Sequence, residues 1–121
     1  MPVSHYEDLE VWKMAFELTK SVYAVSKRDP FARDFVLRDQ VRRASISTIA
    51  NIAEGFARIS KREFIRFLDI ARASTMEVQS LLHVALSEAY ITRQEFDEMY
   101  KLCERLRFGL GALIRLLRSQ L

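Results

Sequence analysis

Apolar residues recur at three- and four-residue steps along most of the chain, the spacing that lines one face of an α-helix. Leu9, Trp12, Ala15, Phe16, Leu18, Val22 and Tyr23 form one such run. Phe64, Phe67, Leu68, Ala71, Val78, Leu81, Leu82, Ala85 and Ala89 form another, and Phe96, Met99, Tyr100, Cys103, Leu106, Leu110, Leu113, Ile114 and Leu117 a further one. Ser4-His-Tyr-Glu7, Ser60-Lys-Arg-Glu63 and Thr92-Arg-Gln-Glu95 precede these runs. In each, the hydroxyl can accept from the amide three residues on while the carboxylate reaches back, a capping box. Asp29-Pro30 is a fourth start signal, because Asp caps and Pro fits the first helical position. The pattern predicts helices over residues 7–27, 30–57, 61–90 and 93–119, roughly 30–45 Å long. Connections of a few residues make consecutive helices antiparallel neighbours. The expected fold is an all-α, up-down-up-down four-helix bundle, a single domain over 1–121.

The second helix departs from the usual one-faced pattern. Gln40, Arg43, Ser47, Asn51, Glu54 and Arg58 fall in a narrow polar stripe, with Leu37, Val41, Ala44, Thr48, Ile52 and Gly55 on one side. Ile46, Ala50 and Ala53 lie on the other side, and Ile49 and Phe56 at the back. A helix apolar nearly all round is buried nearly all round, which a four-helix monomer does not provide. The second helix is therefore expected to contact both its own bundle and a second subunit, its small residues allowing close approach. The stripe reads as an interior polar network or interface in which Arg43 and Glu54 pair with Glu63, Ser74 or Glu77 of the third helix. A polar-ligand or nucleic-acid site is the other reading.

Composition narrows the architecture. Three glycines and two prolines in 121 residues are too few for the many turns of a sandwich or barrel, and they exclude a glycine-rich nucleotide loop. Gly109 and Gly111 lie inside the last run. Each costs about 1 kcal/mol relative to Ala, and each allows either close helix approach or a kink. A single cysteine, Cys103, excludes an internal disulfide and fits a reducing, cytoplasmic setting. The first residues lack a basic-then-apolar signal pattern, and no run of about 18 apolar residues marks a membrane span.

Catalytic chemistry finds little support. A di-iron bundle needs Glu-x-x-His pairs, and neither His5 nor His83 has Glu three residues before it. His83 reads as structural. Glu54, Glu63 and Glu77 alone make a poor iron or zinc site, so no metal and no cofactor are expected. Cys103 falls at an apolar position and reads as an inert buried thiol. No strained Gly-x-Ser-x-Gly turn is present, so the chain is not read as an enzyme.

The net charge is +3, and its distribution carries more than its size. Arg58, Lys61, Arg62 and Arg66 cluster at the turn between the second and third helices with Glu63 as the only acid among them. Arg105, Arg107, Arg115 and Arg118 form a second cluster, and no acid follows Glu104. In the expected topology both clusters fall at one end of the bundle, where basic side chains attract phosphate backbones. Complementing helix C-terminal dipoles is the structural alternative.

Leu9-Glu-Val-Trp12-Lys-Met-Ala15, Gln40-Val-Arg-Arg-Ala-Ser-Ile-Ser47, Asn51-Ile-Ala-Glu-Gly55, Glu63 and Phe67-Leu-Asp-Ile-Ala71 match one pattern. Through them essentially the whole chain resembles the four helix bundle protein family, which includes ribosomal-protein-like products of intervening sequences in bacterial large-subunit ribosomal RNA genes. Where the family usually has Ser-Ile followed by proline, this chain has Ile46-Ser47-Thr48-Ile49, so its second helix is expected to run on unbroken. The resemblance implies a homopentamer, in which five basic ends would make a ring. A pentameric accessory protein of diversity-generating retroelements is a distant relative by fold analogy alone. Two roles follow as expectations: an oligomer that binds RNA or DNA through the ring, or a scaffold for a protein encoded nearby that binds no nucleic acid.

Overall fold

The computed structural model describes residues 3–121; Met1 and Pro2, part of the expected 1–121 domain, lie outside the described residues. The chain forms α1 (Glu10–Ser26), α2 (Phe35–Phe56), α3 (Lys61–Ser87) and α4 (Arg93–Ser119), with 3-10 turns at Tyr6–Asp8 and Phe31–Arg33 and no strand among the described residues. Cross-helix pairings run in opposite senses throughout. Thr19 reaches Ser45 while Arg42 reaches Ser26, and Ser47 meets Ser74 while Gly55 meets Phe67. His83 packs on Phe96 while Gln79 meets Arg107. Arg28 binds Glu95 while Val11 faces Gly109. Every neighbouring pair is thus antiparallel, as the short connections predict.

Two helix starts follow the sequence signals. Thr92 accepts from the Glu95 amide at 3.1 Å and Glu95 accepts from the Thr92 amide at 2.9 Å, a complete capping box. Ser60 accepts from the Glu63 amide at 3.3 Å, but the Glu63 carboxylate turns to Arg66 instead of closing the box.

The other two starts differ. Ser4 caps nothing: its segment winds into the Tyr6–Asp8 turn, Leu9 is extended, and α1 begins at Glu10. Tyr6 meets the Trp12 ring edge-on at 5.3 Å, which holds that turn against the helix. Pro30 likewise precedes only the Phe31–Arg33 turn. The cap of α2 is Asp34, which accepts from the Leu37 amide at 3.1 Å. Phe31 is buried and stacks on Tyr90 at 5.1 Å, and the Tyr90 hydroxyl donates to Asp34 at 2.8 Å. Burying Phe31 and satisfying Tyr90 thus outweigh helix initiation at Pro30.

Tyr90 also explains why α3 ends at Ser87 and not at residue 90. Its amide donates to the Ala85 carbonyl at 2.9 Å and the Ala89 amide to Leu86 at 3.0 Å, the two bonds of a Schellman motif. Ala89 takes the left-handed position, φ 60°. Arg28 closes the same end of the molecule with two bonds to Glu95, at 2.7 and 2.8 Å.

All four helices contribute to one core, which includes Leu18, Ile52, Leu68, Leu82, Leu106 and Ile114. α2 is continuous, as the absence of proline predicts. Its close fit to α3 depends on Gly55, where a Cβ would stand 2.7 Å from Phe67 Cβ. The last helix is also unbroken through its two glycines. Gly109 lets α1 approach, since a Cβ there would meet Val11 at 3.0 Å and Met14 at 3.2 Å. No helix among the described residues is long and apolar enough to cross a membrane.

Candidate nucleic-acid interface

The stripe on α2 divides into small local groups. Arg43 donates to Gln40 at 2.9 Å, within its own helix. Ser47 and Ser74 share a hydrogen bond of 2.8 Å across to α3, and Asn51 donates to the Ser47 carbonyl and hydroxyl. The expected pairing of Arg43 and Glu54 with Glu63 or Glu77 does not form: Glu63 binds Arg66, and among the described residues Glu54 and Glu77 make no ion pair. Arg43, Glu54 and Glu77 are exposed, and solvation replaces the partner that burial would demand. A deeper contact escaped the sequence pattern. Thr48 and Thr75, both fully buried, meet at 3.3 Å beside the Ser47–Ser74 pair.

Within a single chain α2 buries only one side. Leu37, Val41, Ala44, Ser45, Thr48, Ile52 and Gly55 are buried, while Ile46 is 44% exposed. Ala50 and Ala53 on the same outer side are partly covered. Phe16 on α1 is also 44% exposed and stacks on Trp12 at 5.3 Å.

The end of the bundle where α2 finishes and α3 begins is basic. Arg58 and Arg66 both lie over the Phe67 ring, at 4.7 and 4.8 Å from its centre, so cation–π contact holds their side chains. Hydrogen bonding to Arg66 holds the Glu63 carboxyl below its ordinary range and raises Arg66. Lys61 and Arg62 are exposed beside them. α4 runs parallel to α2, and its last turns bring exposed Arg115 and Arg118 toward the same end.

Arg105 and Arg107 do not reach that end. They stand roughly 18–21 Å back along α4 by helical rise, which corrects the expectation of one common cluster. They also point apart. Arg107 bonds Gln79 of α3 at 3.0 Å, whereas Arg105 lines a cleft with Met14 of α1. Arg72 of α3, not singled out by sequence spacing, lies beside Arg107 and Arg115.

Cys103 is fully buried, and desolvation pushes its thiol up to about 12, which keeps it protonated and unreactive. His83 is exposed and lies against Phe96 and Tyr100. No cluster of His, Cys, Asp and Glu suited to a metal occurs among the described residues.

These features define an all-α, four-helix protein with a basic end where α2 finishes and α3 begins. The chain belongs to the family described as 23S rRNA-intervening sequence protein, whose model matches residues 7–112. A solved structure of similar fold is a protein of unknown function from the S23 ribosomal protein family of Bacteroides thetaiotaomicron. It superposes with a TM-score of 0.78 at 24% identity, covering 86% of this chain and 97% of that one. No curated protein matches the sequence.

Proposed function

We propose that the protein is a non-enzymatic homo-oligomer, a pentamer by family resemblance, that binds RNA or DNA through the basic ends of its bundles. The observation that carries this reading is the grouping of Arg58, Lys61, Arg62 and Arg66 at one end, with Arg115 and Arg118 approaching it. Phe67 holds two of these guanidinium groups, so their charge stays displayed at the turn. A ring of such ends releases condensed counterions from a phosphate backbone, and this makes affinity fall as salt rises. The exposed apolar residues Phe16 and Ile46 support assembly, because a second copy would cover them.

The test is binding of a structured RNA at several salt concentrations. Wild-type protein is expected to bind at low salt, with affinity falling steeply as salt increases. Arg62→Glu combined with Arg66→Glu should abolish it. Absence of binding at low salt, or binding that survives both charge reversals, would overturn the reading. Recovery of a stable protein partner with no RNA affinity would favour the scaffold role.

A further inference from the structure

We infer that the cleft between α3 and α4 around Gly111 is a nucleotide site, one that grips a phosphate and seats the attached ribose and base. The inference deepens the proposed function and rests on it only where the nucleotide belongs to an RNA chain. The cleft is open to solvent, offers about 240 Å³ and is lined by Arg72, Glu104, Arg107, Phe108, Gly111 and Arg115.

Three cations enter this space from two helices. A Cβ on Gly111 would stand 3.6 Å from Arg115 Nη1 and 3.7 Å from Arg72 Nη1. Two guanidinium groups therefore converge on one point above bare helix backbone. An anion seated at that point is attracted by both groups. Among the described residues neither Arg107 nor Arg115 has a carboxylate within ion-pair distance, while Arg72 is held by Asp69 at 2.8 Å.

One residue of the cleft wall, Arg107, also belongs to an incompletely satisfied pair. Gln79 is 3% exposed, and its carbonyl oxygen accepts from Arg107 at 3.0 Å. Among the described residues, the two buried side-chain polar atoms left without a partner are Gln79 Nε2 and Arg107 Nε. Both are donors, both belong to this one pair, and Arg107 lines the cleft. A buried donor without an acceptor is costly; Arg107 Nε lies beneath the cleft wall, so a phosphate in the cleft reaches it only through a shift of the Arg107 side chain. Gln79 is then a positioning residue that holds Arg107 toward the cleft.

Two further residues favour a nucleotide over a bare anion. Glu104 on the wall repels an anion but accepts from a hydroxyl, which a ribose supplies. Phe108 is 79% exposed and lines the cleft. Its ring offers a stacking face that every base can use.

The experiment is calorimetric titration of the full chain with adenosine monophosphate, inorganic phosphate and a short single-stranded oligoribonucleotide at low salt. Arg115→Gln and Gly111→Leu are each expected to weaken all three by about tenfold or more, by removing charge and by filling the cleft. Phe108→Ala should weaken the nucleotide and the oligomer about tenfold and leave inorganic phosphate unchanged. Arg62→Gln, at the basic end, should leave adenosine monophosphate binding intact. Circular dichroism melts confirm the fold of Gly111→Leu; Arg115 and Phe108 are exposed, so their variants keep the core. Failure of both small ligands to bind at millimolar concentration overturns the site, as does wild-type affinity in both Arg115→Gln and Gly111→Leu. Oligomer binding lost in Arg62→Glu but kept in both cleft variants also overturns it, while leaving the basic end as the RNA surface. Cleft-dependent nucleotide binding without affinity for structured RNA supports the site and removes the proposed function instead.

Discussion

Gly55 sits at a close approach of α2 and α3, and its role is steric. A methyl group there would meet Phe67 Cβ at 2.7 Å and Phe64 at 3.0 Å, so the helices must part to admit it. Gly55→Ala is expected to destabilise the fold by about 1–3 kcal/mol despite the better helix propensity of alanine, a change measurable by urea denaturation. Ala89 is the opposite case. It occupies a left-handed position, φ 60°, that glycine adopts without a Cβ clash, so Ala89→Gly should add about 1 kcal/mol and raise the thermal midpoint. Glu95 carries a pH signature. Its bonds with Arg28 and the Thr92 amide hold its carboxyl down at about 2, against an ordinary 4.5. The folded value lies below the unfolded one, so the stabilisation is present above about pH 4.5 and disappears as pH falls through 2. Glu95→Gln keeps an acceptor for the cap but loses the ion pair. With Arg28 half exposed, the loss should be about 1–2 kcal/mol at pH 7. The difference from wild type should close across that acid range in denaturation curves.

At the scale of elements, some boundaries are legible in the sequence and others are not, for identifiable reasons. Thr92 and Ser60 start their helices because the hydroxyl, the carboxylate and the apolar run coincide. Ser4 fails because Leu9 and Trp12 pack on the core and leave the motif in a preceding turn. Pro30 fails because Phe31 is worth more buried than helical, and its partner Tyr90 lies a long way off in sequence. The basic turn at Arg58, Lys61, Arg62 and Arg66 is readable because it is local. The Gln79–Arg107 bond and the convergence of Arg72 with Arg115 depend on the register between α3 and α4, which periodicity does not specify. The interior polar network predicted for α2 is also narrower than its stripe, since only Ser47 among those stripe residues hydrogen-bonds across to α3 through its side chain. Two hydroxyl pairs, Ser47–Ser74 and Thr48–Thr75, each spanning 27 residues, mark the register of α2 on α3.

At the scale of the whole molecule, the proposed assembly links the outer side of α2 to the basic end. In the proposed assembly a second copy would cover Ile46 and Phe16, each 44% exposed in the single chain, and the charged ends would gain field strength when several are brought together. Ile46 lies outside the core of the single chain, so Ile46→Asp should leave each bundle folded and disrupt assembly alone. Its helical circular dichroism should match wild type while its mass in solution falls. Light scattering of the wild-type protein at micromolar concentration tests the assembled bundle most directly. A mass of several chains, five by family resemblance, is the expected result, and a monomeric mass would contradict it.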